Sequence, residues 1–333
     1  MRGAAGYALT AAVVLLAGCG GPAAEAPADR PPSPSSSPST PATPTPADPT
    51  SSPTTTEEPR PAPVGADDFR VGRAEAVVRH LAGTIGPRHG TSPAFARAVR
   101  WVDAELAGLG YRVEQQRFRA PGGVSWGVPV PAGTSVNVVA TPRGFDPARP
   151  HLVVGAHLDT VPQAPGAEDN ASGVGVLLAA AHAAAQRRTR LPVVWVAFGA
   201  EEPRGPTDDD HHYGSRAYVA AMTGRERTAM QGMVSLDRVG VGATVPVGSA
   251  GASDPVQQSL LEAARRARVA ALPEAESRSS DHWSFVRDGL PAARLGSTSY
   301  AAYHSPDDVP AVVDRAQLQR TGRIVLAWLS PSG

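Results

Sequence analysis

Histidine and acidic side chains are concentrated in one short stretch of the sequence, residues 151–173. His157 and Asp159 follow residues 152–156, an apolar run that predicts a strand buried on both faces. Because side chains alternate along a strand, these two residues point to the same face. Asp169 lies in the following loop, just before an alanine-rich helix. One imidazole and two carboxylates therefore gather where open α/β sheets place their sites, although solvated polar residues at a strand end would give the same pattern.

Two later apolar segments also end in acidic residues. Glu201 and Glu202 come shortly after one of them, and Asp237 directly follows the other. Each pattern alone has an ordinary explanation, since paired glutamates are usually solvated and a strand-end aspartate often caps a turn. His304 lies on a late loop that also holds acidic residues. Taken together, carboxylates at three strand ends and two histidines make a ligand set suited to zinc.

Alternating helical and strand patterns must position these side chains. Strands are predicted at residues 111–118, 136–140, 152–156, 193–198 and 233–236, and helices at 69–81, 92–109, 171–187, 255–267 and 311–328. Strands that alternate with helices indicate an α/β fold with a largely parallel sheet. We therefore expect a three-layer α/β/α architecture with a mixed, largely parallel central sheet.

The N-terminal region has the pattern of an exported protein. Arg2 precedes an apolar run, residues 8–17, of the length of a signal-peptide core. The run ends in Leu16-Ala17-Gly18-Cys19, which resembles the lipobox of bacterial lipoproteins. We expect residues 1–18 to be removed and Cys19 to be lipidated, which would hold the protein on the outer face of the bacterial cell membrane. An ordinary secretory signal with an incidental cysteine is the alternative.

Composition separates a linker from a folded part. Residues 19–65 are mostly Pro, Ser, Thr and Ala after the cysteine, a composition that cannot bury a core and suits a spacer. Residues 66–333 are predicted to form one catalytic domain. Cys19 is the only cysteine, so no disulfide can form within the chain. The net charge of +0 gives no bulk field for nucleic acid, and we expect a monomer.

The order of the polar residues resembles the di-zinc aminopeptidase family typified by aminopeptidase Y and bacterial leucyl aminopeptidases. The resemblance runs from about residue 66 to residue 328. It rests on His157, Asp159, Asp169, Glu201, Glu202, Asp237 and His304 and extends to Ile85-Gly86-Pro87-Arg88, Gly214-Ser215 and Ser280-Asp281-His282. The resemblance implies a zinc exopeptidase that removes N-terminal residues from peptides with a free N-terminus.

The same resemblance implies a role for each matched position. His157 and Asp237 would bind one zinc ion, Glu202 and His304 a second, and Asp169 would bridge both. Glu201 would be the general base for a water activated between the two metal ions. Asp159 would accept the free N–H of His157. Tyr303 would donate to the oxyanion, although an exposed packing role is as compatible with its position. The family also implies a cis peptide bond between Asp169 and Asn170.

The sequence departs from the family at two places. Arg238 follows Asp237 where an apolar residue is usual, and residues 203–213 form a longer and more polar loop. That loop contains Asp208-Asp209-Asp210-His211-His212, which could bind a third metal ion or form a solvated rim, and we favour the rim. We expect His282 to be structural and not a ligand.

Two other functions compete with the aminopeptidase hypothesis. A glutaminyl cyclase-like acyltransferase has this fold but keeps a single zinc ion. A non-catalytic binding lipoprotein would have no need of a base at Glu201. The complete set of five ligands favours the peptidase over the cyclase, and the presence of Glu201 argues against the binding lipoprotein.

Overall fold

A mixed eight-stranded sheet forms the centre of the protein. The structure is a computed structural model and describes residues 60–251 and 254–331, so the predicted signal peptide, Cys19 and most of the linker lie outside it. The strands are β1 (Arg112–Ala120), β2 (Gly123–Ser125), β3 (Val128–Val130), β4 (Gly133–Thr141), β5 (His151–His157), β6 (Val193–Phe198), β7 (Met230–Leu236), β8 (Val245–Gly248), β9 (Ala271–Glu274) and β10 (Ala292–Leu295). Their order in the sheet is β1-β4-β6-β5-β7-β10-β8-β9, while β2 and β3 form a separate hairpin.

The middle of the sheet is parallel and its two margins contain antiparallel pairs. Strands β6, β5, β7 and β10 run in the same direction, and β4 pairs antiparallel with both β1 and β6. On the other side, β8 is antiparallel to β10 and parallel to β9. The carboxyl ends of the four central strands therefore meet at one edge of the sheet.

Helices cover both faces of the sheet. They are α1 (Val71–Val78), α2 (Pro93–Gly108), α3 (Gly173–Gln186), α4 (Tyr213–Ala221), α5 (Gly224–Ala229), α6 (Pro255–Ala267), α7 (His282–Arg287) and α8 (Arg315–Leu329). Along β6, Val193, Trp195 and Ala197 belong to the apolar core that includes residues of α1, α2, α3, α6 and α8, whereas Val194, Val196 and Phe198 belong to the core that includes residues of α4 and α7. This alternation gives two apolar cores, one on each face, and confirms the predicted three-layer α/β/α architecture.

Side-chain caps fix where two of the predicted helices begin. The Ser92 hydroxyl accepts from the backbone N–H of Phe95 at 3.0 Å, so α2 begins one residue later than predicted. The Asp314 carboxylate accepts from Ala316 N–H at 2.8 Å, so α8 begins at Arg315 and the preceding residues form a separate turn. Among the described residues, none of the helices combines the length and the apolar character needed to cross a membrane.

Candidate metal centre

The candidate metal ligands lie at the carboxyl edge of the parallel strands. His157 is the last residue of β5, Glu201 and Glu202 follow β6, and Asp237 follows β7. These strands are neighbours and run in the same direction, so their ends bring the three segments together. Asp169 comes from the loop between β5 and α3, and His304 comes from the loop between β10 and α8. The fold therefore gathers every residue that the sequence proposed as a ligand.

Asp169 lies between the two histidines. Its Oδ1 is 3.1 Å from His157 Nε2, and its Oδ2 is 3.0 Å from His304 Nε2. His157 Nε2 is also 3.5 Å from Asp237 Oδ1, and His304 Nε2 is 3.4 Å from Glu202 Oε2. Each oxygen of Asp169 thus belongs to a different group of side chains, as a bridging carboxylate requires. All five side chains are buried.

The chemistry of this cluster fits zinc. Burial together with the charge of Asp169 raises the pKa of Glu202 well above its usual value. Oδ1 of Asp237 is buried and has no hydrogen-bond partner among the described residues. Buried carboxylates that repel one another need a compensating cation. Imidazole nitrogens and carboxylate oxygens are ligands that zinc accepts. His157, Asp169, Glu202, Asp237 and His304 would hold it.

The carboxylate of Asp159 has a different role from the one predicted. His157 Nδ1 lies 3.2 Å from the backbone carbonyl of Asp159 and 3.8 Å from its carboxylate Oδ1. The predicted hydrogen bond from the imidazole to the carboxylate is therefore wrong, because the backbone carbonyl takes its place. The carboxylate instead accepts from the backbone N–H groups of Glu201 at 3.0 Å and Glu202 at 3.3 Å. Asp159 thus fixes the loop that carries both glutamates.

His212 is a functional candidate that the sequence analysis did not identify. Its Nε2 lies 3.1 Å from Glu201 Oε1, while Oε2 of the same glutamate lies 3.9 Å from His157 Nε2. Burial alone would raise the pKa of Glu201, but the two imidazoles lower it below its usual value. His212 therefore orients an ionised carboxylate beside the cluster. Its position in the loop of residues 203–213 gave no sequence signal for this contact.

A second carboxylate positions the backbone of Asp169. Asp308 accepts from the backbone N–H groups of Glu168 at 2.8 Å and Asp169 at 3.1 Å. The peptide bond between Asp169 and Asn170 is cis, as the family resemblance implied. The Asn170 side chain donates to the carbonyl of Leu236, so this loop is tied to the end of β7. The loop is thus held from both sides of the cluster.

Arg88, from the matched segment at residues 85–88, holds the other end of the same loop. Its side chain is fully buried, which lowers its pKa to about 10 although nearby carboxylates counteract the shift. The guanidinium donates to the carbonyls of Leu158 and Pro165, each at 2.7 Å, and to that of Gly166 at 3.2 Å. The segment between His157 and Asp169 is therefore fixed by an arginine that is remote in sequence.

The cluster opens into a cleft of about 290 Å³ with aromatic walls. Trp126, at the tip of the β2–β3 hairpin, has its ring centroid 4.4 Å from that of His304. Tyr303 stacks on His304 with ring centroids 3.7 Å apart, and it is 38% exposed. The hydroxyl of Tyr303 makes no hydrogen bond within the described part of the chain. Its predicted role as an oxyanion donor stays a prediction.

The loop of residues 203–213 forms a rim of the cleft. Pro203, Asp208, His211 and His212 line the cleft together with the five candidate ligands. Within residues 60–251 and 254–331, the acidic and histidine groups close enough to hold a metal ion all lie in the central cluster, so this loop supplies no third site there. The guanidinium of Arg204 donates to two carbonyls that flank the hairpin, which joins loop and hairpin into one wall.

His282 packs as a buried structural side chain. Its Nε2 lies 2.9 Å from the carbonyl of Ser277, and burial lowers its pKa to about 3. The neutral imidazole is therefore consistent with the structural role expected from the sequence.

Known proteins resemble this chain in sequence and in structure. Aminopeptidase YwaD of Bacillus subtilis is 30% identical over 206 residues, which are 58% of this chain and 44% of that protein. The chain thus spans less than half the length of this relative. The zinc aminopeptidase BSAP from Bacillus subtilis has a similar structure, with a TM-score of 0.69, 19% identity and coverage of 78% of this chain and 94% of that one.

A structure from another reaction class is almost equally similar. Glutaminyl cyclase from Porphyromonas gingivalis gives a TM-score of 0.67 at 21% identity, with coverage of 78% of this chain and 98% of that chain. At such identities, the two structural matches establish a shared fold and leave the reaction open.

A match in sequence shows to which family this chain belongs. Residues 137–329 match peptidase family M28, a span that includes all five candidate ligands, Glu201 and His212. This match covers more than half of the chain and confirms the resemblance to the di-zinc aminopeptidases. The chain therefore belongs to peptidase family M28.

Proposed function

We propose that this protein is a zinc-dependent aminopeptidase that hydrolyses the first peptide bond of peptides with a free N-terminus. The observation that carries the proposal is the position of Asp169, which presents one oxygen to each of two groups: His157 with Asp237, and His304 with Glu202. Two groups of ligands that share one carboxylate suit two zinc ions. Bound zinc lowers the pKa of a water molecule and polarises a carbonyl group.

The residues around the cluster supply the remaining chemistry. Glu201 is ionised and held by His212, so it can accept the proton of the attacking water and pass it to the leaving amine. The four carboxylates of the site also attract the positive charge of a free α-amino group, which supports the requirement for an unblocked N-terminus.

Metal analysis combined with a substrate screen tests the proposal. We expect two zinc ions per chain at saturation, release of free amino acids from unblocked peptides, loss of this activity with a chelator, and little action on N-acetylated peptides. One tightly bound zinc ion with pyroglutamate formation from N-terminal glutamine would favour a glutaminyl cyclase. Zinc binding without turnover of any peptide would favour a binding lipoprotein.

We also propose that the enzyme acts outside the cell while attached to the membrane through Cys19. The lipobox-like segment before Cys19 and the Pro/Ser/Thr-rich linker support this localisation. Peptides outside the cell would then be its substrates.

A further inference from the structure

Arg238 enters the cleft from the residue after a candidate ligand. Its φ of 55° lies in the left-handed region, which is uncommon for a residue with a long side chain. The backbone N–H of Arg238 donates to Asn170 Oδ1 at 3.2 Å, which fixes the backbone in this conformation. The side chain lines the cleft beside Asp237 and Tyr303. The structure thus holds a cation in the wall of the cleft, directly after a candidate ligand.

The guanidinium of Arg238 has unused hydrogen-bonding capacity. Its Nε lies 3.7 Å from Asp237 Oδ1, and its Cζ lies 4.8 Å above the ring of Tyr303. The side chain is 21% exposed and makes no hydrogen bond to any residue that the structure describes. A guanidinium offers five N–H donors in a planar arrangement that matches a carboxylate. The contact with the Tyr303 ring uses none of these N–H donors in a hydrogen bond within the described residues, so they are available to a ligand.

Neutralising Asp237 does not require Arg238. Arg294 already pairs with this aspartate, because its Nε lies 3.3 Å from Oδ2 and its Nη2 donates to the backbone carbonyl at 3.0 Å. His157 approaches the other carboxylate oxygen. Arg238 is therefore a second arginine beside an aspartate that already has an arginine partner. Arg278 also lines the cleft and adds a further positive charge.

The reach of Arg238 limits where a bound anion can lie on a substrate. A peptide bond held at the ligand cluster lies next to Asp237 and hence next to this guanidinium. Two carboxylates of a short peptide are only a few bonds from the scissile carbonyl: the side chain of an N-terminal Asp or Glu, and the C-terminal carboxylate of a dipeptide. A cleft of about 290 Å³ is at the small end for ligand sites, which suits a short substrate.

We propose that Arg238 is a specificity residue that binds a substrate carboxylate close to the scissile bond. This inference rests on the proposed peptidase function and adds a preference for anionic short peptides. Arg238 would form a charge-assisted pair with the carboxylate, with the aromatic ring of Tyr303 holding the guanidinium in place.

Matched acid and amide substrates test the inference and separate the two sources of the carboxylate. One set compares aspartyl and glutamyl anilides with asparaginyl and glutaminyl anilides. The other compares a dipeptide such as Ala-Ala with its C-terminal amide. In one of the two sets, we expect zinc-loaded wild-type protein to favour the acid in kcat/KM by about tenfold or more, the range for one charge-assisted hydrogen bond.

Variants show whether Arg238 causes the preference. Arg238→Gln should abolish it, and Arg238→Lys should restore part of it because the charge remains without the planar fork. Arg190→Gln is a matched control, since Arg190 also stacks on an aromatic ring, that of Trp328, and does not line the cleft. Hydrolysis of acid and amide at the same kcat/KM by the wild type, or an equal loss on acid and amide in Arg238→Gln, would overturn the inference.

A binding measurement distinguishes this inference from the proposed function. Calorimetric titration of zinc-loaded Glu201→Gln with each acid and amide pair reports affinity in a protein whose base has been removed. The carboxylate site is supported if Glu201→Gln binds the acid more tightly than the amide and if this difference disappears when Arg238→Gln is added. This result would support the site even if the wild type hydrolyses nothing, and only the peptidase proposal would then fail. Equal affinities for acid and amide contradict the carboxylate site.

Discussion

Glu201 and Glu202 are adjacent in the sequence, yet their carboxylates lie in different surroundings. Glu201 Oε1 contacts His212 Nε2, whereas Glu202 Oε1 accepts from the backbone N–H of Val161 at 3.2 Å and Oε2 faces His304. The first carboxylate is therefore held beside the ligand cluster, and the second points into it. Because of this difference in contacts, which two adjacent glutamates in a sequence do not reveal, Glu201 can act as the base while Glu202 acts as a ligand.

We expect Glu201→Gln to keep its zinc and to lose about two to four orders of magnitude in kcat, because a positioned general base is worth about that much. Glu202→Gln should instead lower the zinc content, since an amide is a poorer ligand for a cation than a carboxylate. Metal analysis and steady-state kinetics on both variants make the comparison. A metal-free Glu201→Gln, or a fully active one, would contradict the assignment.

At the residue scale, the ligands could be predicted from sequence and their supporting contacts could not. His157 and Asp237 lie at the ends of buried apolar segments and Asp169 lies just before an alanine-rich helix, and these positions are visible in the order of residue types. The contact of His212 with Glu201 depends on how an irregular loop folds back, which no periodic pattern encodes. The carboxylate of Asp159 was assigned to the wrong partner because two backbone N–H groups compete for it.

At the scale of elements, three of the four central strands, β5, β6 and β7, were predicted because each is an apolar run buried on both faces. The fourth central strand, β10, was missed because it has only four residues and one of them is Arg294. Strand β6 was predicted with its observed bounds, and helix α6 likewise. The other missed elements are short and lie toward the sheet margins or in loops, such as β8, β9 and the β2–β3 hairpin. In β9, the sequence Ala-Leu-Pro-Glu is largely exposed and contains a proline, so it shows no strand periodicity.

Two loops meet where Asp308 holds the backbone that carries Asp169. We expect Asp308→Asn to weaken zinc binding by about 10- to 100-fold, because the amide N–H₂ would face a backbone donor and displace the bridging carboxylate. Competition with a chromogenic chelator measures the affinity. Asp307→Asn is the matched control, because Asp307 is adjacent to Asp308 and its side chain is exposed. Unchanged affinity in Asp308→Asn, or an equal loss in the control, would show that this contact does not support the site.

At the scale of the whole molecule, the candidate site and the start of the folded part lie at opposite edges of the sheet. Val64 N–H donates to the carbonyl of Arg188 at 2.9 Å, and Arg188 N–H donates to that of Ala62 at 2.9 Å. Arg188 precedes β6, at the amino end of the central strands, whereas the ligand cluster lies at their carboxyl ends. Residues 62–64 therefore pair with the domain at the edge of the sheet opposite the ligand cluster.

The proposed attachment of the enzyme through Cys19 leads to the final prediction. If Cys19 carries acyl chains, each buried CH₂ would stabilise membrane association by about 0.8 kcal/mol. We expect wild-type protein to incorporate a labelled fatty acid and to sediment with membranes, and Cys19→Ser to remain unlabelled. Ser37→Ala, a substitution within the linker, should behave as wild type.

Since Cys19 lies far in sequence from the ligand cluster, the purified Cys19→Ser protein should keep the zinc content and kcat of the wild type. Equal release of wild type and Cys19→Ser into the medium, without label in either, would show that the cysteine is incidental and that the N-terminal segment is an ordinary secretory signal.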